Sequence, residues 1–154
     1  MNHIFISVSR VIIGFSIAGF LGVSLGLLIG CFKSMFEFFN PLIQFLKSIP
    51  PIAWIPLAIL WFGIGEASKI YIIAYGAFFP IVLNTIFGVR SIDKTLLKMA
   101  KSMGLNGFIL FKEIIFPGVL PSILTGLRIG MGVGWMCLIA AEMIGATSGL
   151  GYMI

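Results

Sequence analysis

Charged side chains are scarce in this sequence. They make up 10% of its 154 residues, where a soluble domain carries about 25%. That excludes an ordinary water-exposed globular surface, and a chain this short cannot hide 60% hydrophobic residues in one core. Cysteine is nearly absent. Cys31 and Cys137 are too few and too far apart for a disulfide framework or a metal cluster, which leaves each as a small apolar packing residue. A single histidine, His3, excludes haem ligation by paired histidines within the chain. A G-x-x-x-x-G-K-[ST] phosphate loop is also missing, so ATP chemistry would have to come from another subunit. No nucleophile, histidine base or carboxylate pair recurs at helical spacing within an apolar stretch, which leaves a membrane enzyme the weakest reading. The net charge of +5 sits at the ends of apolar stretches and in one loop. It forms no patch interleaved with aromatics, so neither a nucleic-acid partner nor a cofactor is expected.

What remains is apolar sequence in lengths suited to lipid. About 20 helical residues cover a hydrocarbon core of roughly 30 Å. Four spans are expected, over residues 11–31, 48–65, 70–89 and 121–145, giving an all-α, polytopic transmembrane helix bundle. The first is bracketed by Arg10 and Lys33. Ala18, Gly22, Gly26 and Gly30 recur along it every fourth residue, and Gly126, Gly130 and Gly134 repeat the pattern in the fourth. Such stripes let two backbones approach closely in lipid, although glycine is common in membrane helices anyway. In the fourth span Trp135 is expected to pack. Arg128 and Glu142 are each expected to reach an interface by snorkelling.

The second span is interrupted. Pro50, Pro51 and Pro56 each remove a backbone donor, so a straight helix is not expected. A broken helix at membrane depth survives only where protein or a water-filled cavity covers the freed backbone. Pro50, Pro51, Trp54, Asn84 and Glu142 are therefore candidates for lining a pathway, and a harmless kink or elbow before the helix is the competing reading. Lysine and arginine between residues 90 and 113 place that loop in the cytoplasm. By alternation residues 33–47 lie inside, residues 66–69 and both ends of the chain outside. An upstream helix missing from the sequence would remove the difficulty of translocating the first residues.

Within the loop, Leu96, Ala100 and Met103 share a helical face, while Lys94, Lys98 and Lys101 fall largely on another. Gly104 is expected to break this helix, Asn106 and Gly107 to turn, and a second short helix over residues 108–115 to end before Pro117. The amphipathic segment suits either a protein partner or a position flat on anionic headgroups, its lysines toward lipid.

The loop reads Lys98-Met99-Ala100, three residues, Gly104, nine residues, Ile114, one residue, Phe116-Pro117. That spacing resembles the cytoplasmic signature of the membrane subunits of ATP-binding-cassette importers: Glu-Ala-Ala, then Gly, Ile and Leu-Pro at the same intervals. Lys98, Met99 and Phe116 depart from it, and position 98 carries an ammonium where the family has a carboxylate. The segments 48–66, 76–85, 120–128 and 141–152 are similar to the subfamily serving nitrate, taurine and alkanesulfonate import. Members of that subfamily usually carry one more helix at each end.

The resemblance implies a type I importer permease fold with a coupling loop over residues 90–117. Its partners would be a cytoplasmic ATPase dimer, an extracytoplasmic solute-binding protein, a second permease copy and the lipid of the cell membrane. Lys98, Met99, Ala100, Lys101, Gly104, Asn106, Ile114 and Pro117 would form the ATPase-docking loop. The solute would be small and anionic. An ion-coupled secondary transporter, a structural subunit of a membrane complex and a non-functional remnant are the alternatives.

Overall fold

The computed structural model describes residues 2–145, and no strand occurs among them. The part of that similarity over residues 146–152 falls outside the described residues. Three helices are long and apolar enough to cross a membrane: Ile4–Cys31, Glu66–Arg90 and Gly107–Ile144. A fourth crossing would require counting the bent pair Lys33–Lys47 and Pro51–Phe62 as one span.

Helix α1 (Asn2–Cys31) begins nine residues before the expected span, so Arg10 lies within it instead of bracketing it. Helix α4 (Glu66–Arg90) is the middle of the bundle, with α1 on one side and the last helix, α7 (Phe116–Gly145), on the other. Residues 66–69, expected as an external connection, form the first turn of α4.

Glycine decides how closely these helices meet. A Cβ added at Gly22 would stand 2.9 Å from Ile81 Cγ2, one at Gly26 2.6 Å from Thr85 Cβ, and one at Gly30 2.7 Å from Val89 Cβ. Ala18 packs with Ala77 and Ile81, and Gly14 extends the stripe one turn further, against Ile73. From the other side Gly126 abuts Pro80 and Asn84, Gly130 abuts Ala77, and Gly134 faces Ile73. In return α4 offers Gly76 to Cys137 and Gly88 to Ser122. Small residues let the backbones come within dispersion range over the whole length, which is the main source of helix association where lipid removes the hydrophobic drive.

The second apolar stretch does not make a straight span. After α2 (Lys33–Lys47) come a 3₁₀ turn (Pro51–Trp54) and helix α3 (Ile55–Phe62), bent from α2 by 83°. An eight-residue helix rises only about 12 Å, short of a bilayer core. The physical reason is proline: Pro50 and Pro51 leave an extended backbone before the 3₁₀ turn, and Pro56 is tolerated in the first turn of α3, where its missing donor would be unsatisfied anyway. Helix α2 seats Ile43 in a cluster with Ile29 of α1 and Phe79, Val82 and Ile86 of α4. The Arg90 guanidinium lies 3.8 Å from the Phe36 ring centroid, which ties α2 to the end of α4.

Overpacking a close helix contact costs roughly 1–3 kcal/mol. Gly26→Ala should therefore destabilise the bundle, since backbone and branched side chain stand against the new methyl. Gly132→Ala, with nothing within 4 Å, should be neutral or slightly stabilising. Unfolding in detergent by graded SDS addition compares the two, and equal midpoints would show that the glycine stripe does not limit the contact.

Candidate coupling surface and translocation cavity

Between α4 and α7 the chain leaves the bundle and returns. Asp93 caps helix α5 (Lys94–Ser102), its carboxylate accepting from the Thr95 backbone N–H at 2.7 Å. Only Ala100 of this helix is buried; Leu96, Met99, Lys98 and Lys101 are exposed, as is Met103 just beyond. The helix stops in a defined way. Leu105 N–H donates to Ala100 O at 3.0 Å and Gly104 N–H to Lys101 O at 3.1 Å, the paired bonds of a Schellman motif. The motif needs a left-handed residue, and Gly104 supplies φ +86°. Asn106 is exposed and extended, and Gly107, at φ +57°, opens the return helix.

That return helix does not end before Pro117, contrary to the expectation from proline alone. Helix α6 (Gly107–Leu110), a π-helical turn (Phe111–Ile115) and α7 run on as one element. In the π turn Phe116 N–H donates to Phe111 O, five residues back. The widened turn accommodates the ring and the missing donor of Pro117 without a break. Ile114 is half-buried in the π turn and Pro117 is exposed in the first turn of α7. From Gly107, three residues past the bend at Gly104, helix therefore runs uninterrupted to the far end of α7.

A cavity of about 320 Å³ opens on the other side of α4, lined by Lys47, Pro51, Gly76, Pro80, Asn84 and Val133 among others. Two of the five pathway candidates, Pro51 and Asn84, meet there. The Asn84 amide donates back to the carbonyl oxygen of Pro80 itself at 2.8 Å. Pro50 is exposed at the preceding corner. Trp54 does not line the cavity; its ring sits 5.2 Å from that of Tyr75 and 6.5 Å from that of Trp61.

Glu142 is elsewhere, and it does not snorkel. Its residue is 1% exposed. Glu142 Oε1 accepts from Arg10 Nη1 at 2.6 Å and from Ser7 Oγ at 2.7 Å. The same guanidinium donates through Nε and Nη2 to both oxygens of Glu66, each at 2.5 Å. Lys69 Nζ approaches Glu66 at 3.9 Å. Two positive and two negative side chains thus close a network at the end of the bundle opposite α5, joining the starts of α1 and α4 to the end of α7. Sequence reading missed it, because its partners are 56 and 132 residues from Arg10. The available signal was that α7 places its only acidic residue in a stretch otherwise apolar.

Residues 20–154 match the family described as binding-protein-dependent transport system inner membrane component. The chain belongs to that family. It is a multi-pass membrane protein of the ATP-binding-cassette importer permease type. It is 49% identical over 152 residues to the putative aliphatic sulfonates transport permease protein SsuC of Escherichia coli, covering 99% of this chain and 58% of that protein. It is 40% identical over 153 residues to the taurine transport system permease protein TauC of the same organism, covering 99% and 56%. With the nitrate import permease protein NrtB of Synechocystis it shares 40% over 152 residues, covering 99% and 55%. The chain thus spans little more than half the length of these relatives.

Breaking a buried ion pair by removing one partner costs about 3–5 kcal/mol, because the other charge stays buried. Arg10→Gln and Glu142→Gln should each lower the unfolding midpoint strongly. Glu66→Gln should do so less, its side chain being 60% exposed. SDS titration of the three variants ranks them, and a Glu66→Gln loss as large as that of Arg10→Gln would contradict the network as drawn.

Proposed function

We propose that the chain forms the translocation pathway of an ATP-driven importer of small anions and couples it to a separate ATPase. The supporting observation is the build of the loop between α4 and α7. A short amphipathic helix presents Lys98, Met99, Lys101 and Met103 outward and is fixed by Asp93 at one end and by Gly104 at the other; after the turn at Gly104–Asn106 the return helix from Gly107 runs into α7 without a break. In this reading the loop is cytoplasmic and α5 seats in a cleft of the ATPase. Closure of the ATPase dimer then displaces α5, and the helix running from Gly107 through α7 carries the displacement to the bundle.

The cavity between α2, α4 and α7 is one copy's share of the pathway, completed by a second copy and supplied by an external solute-binding protein. Relatives named for sulfonates, taurine and nitrate support a small oxyanion as the solute. The Arg10 network lies on the external side and holds that end of the bundle together. An ion-coupled transporter is less well supported, because Glu142, the carboxylate such a mechanism would use, is committed to Arg10 and Ser7.

Substituting a β-branched residue where φ is positive costs roughly 1–2 kcal/mol, and Gly104 has open space around it, so the backbone alone is challenged. Gly104→Val should reduce recovery of the ATPase with the tagged permease roughly tenfold, a change equivalent to about 1.4 kcal/mol, with membrane insertion unchanged. Unaltered co-purification would count against the coupling role.

A further inference from the structure

Helix α2 carries a pattern that neither the helix contacts nor the coupling loop uses. Lys33, Glu37, Asn40, Gln44 and Lys47 follow one another at alternating intervals of four and three residues, so they form one stripe along the helix. None of the five is buried. On one flank of the stripe Phe36, Phe39, Ile43 and Leu46 pack against α1 and α4. On the side opposite the stripe Phe38, Leu42 and Phe45 are exposed and apolar, as a lipid-facing surface is.

The helix does not lie flat across the end of the bundle, as an interfacial helix would. Phe36 meets Arg90 at the end of α4, Ile43 packs with Phe79, Val82 and Ile86, and Tyr75 Oη donates to Leu46 O at 3.3 Å. Helix α2 therefore climbs alongside α4 and antiparallel to it, with about 21 Å of helix between Lys33 and Lys47. At the top of the climb Lys47 lines the cavity with Phe79, Pro80 and Asn84. Phe79 and Pro80 are each at least ten residues from both ends of α4, or about 15 Å. Ionisable side chains at such depth face protein or a water-filled cavity, and Lys47 opens on the cavity. At the other end Lys33 faces Glu37 at 3.6 Å, so the net positive charge of the stripe falls at its inner end.

We propose that the polar stripe of α2 is the water-facing wall along which a small anion passes between the cavity and the Lys33 end of the bundle, with Lys47 binding the anion's oxygens at the cavity end. An ammonium acts as a compact point charge and imposes no planar, two-oxygen geometry, so it serves a tetrahedral sulfonate and a planar nitrate alike. Asn40 and Gln44 carry neutral amide donors between Lys47 and the paired charges at the end of the stripe. This rests on the pathway reading given above and adds to it a route and a binding residue. In the orientation of that reading the Lys33 end is cytoplasmic, and the solute leaves along the stripe.

The test keeps the two readings apart. In the chain assembled with its ATPase, Cys31 and Cys137 are changed to alanine, and a single cysteine is placed at Gln44 on the stripe or at Phe45 on the lipid side. Membranes opened to both faces are treated with the anionic sulfonatoethyl methanethiosulfonate or its cationic trimethylammonium counterpart. Gln44→Cys should react with both reagents and Phe45→Cys with neither. A fixed charge lining a cleft raises the local concentration of opposite charge by at least about tenfold. The ratio of anionic to cationic rate at Gln44→Cys should therefore fall about tenfold in Lys47→Gln and be kept in Lys47→Arg. No reaction at Gln44→Cys, which would mean that protein covers the stripe, equal reaction at the two positions, or a ratio unmoved by Lys47→Gln would each overturn the proposal. Uptake of radiolabelled taurine or nitrate is then measured with Lys47 intact. The expected reactivity without uptake of either solute would count against the importer reading while leaving the anion-attracting face standing.

Discussion

The backbones of α1 and α7 approach α4 from two sides, so closely that a methyl at Gly26 would lie 2.6 Å from Thr85 Cβ and one at Gly76 2.5 Å from Cys137 Sγ. In lipid this contact has to do what a hydrophobic core does in water, because the tails outside are as apolar as the side chains inside. The remaining features depend on it. It sets α7 in register with α4, which fixes the width of the cavity beside Asn84 and the distance at which Arg10 can reach both Glu66 and Glu142.

The Arg10 network and the glycine contacts hold the bundle by different means. The contacts are distributed, each worth little, and tolerate loss at one position better than a buried ion pair does. The network is local and costly to break, since removing one partner of the Arg10–Glu142 pair leaves the other charge buried. It closes the end of the bundle away from α5, whereas at the loop end Val89, Val119 and Ile123 form an apolar cluster.

Local patterns were legible in the sequence, and partners across the fold were not. The spacing of Gly22, Gly26 and Gly30 marks a face without saying that α4 covers it, and Gly14, four residues before Ala18, belongs to the same face. Gly104 could be read correctly as a helix stop because a Schellman motif is built from neighbours. Pro117 misled for the complementary reason: proline normally ends a helix, but a π turn upstream absorbs it. The prolines of the second stretch predicted interruption, and the structure places an 83° bend there, leaving α3 too short to span. Arg10 was read as a boundary and Glu142 as a snorkelling or pathway residue. Nothing in the local sequence of either reveals a partner more than a hundred residues away.

Coupling through α5 is the claim on which the functional reading turns, and it is most directly tested by cross-linking. Single cysteines at Leu96, Met99, Ala100 and Met103, in the chain assembled with its ATPase, are treated with a short bifunctional thiol reagent. Exposed Leu96, Met99 and Met103 should each form a permease–ATPase adduct whose yield changes when ATP is added, and buried Ala100 should not. Adducts absent from all four positions, together with labelling of the exposed three by a lipid-borne photoprobe, would place α5 on the membrane surface and contradict the coupling role.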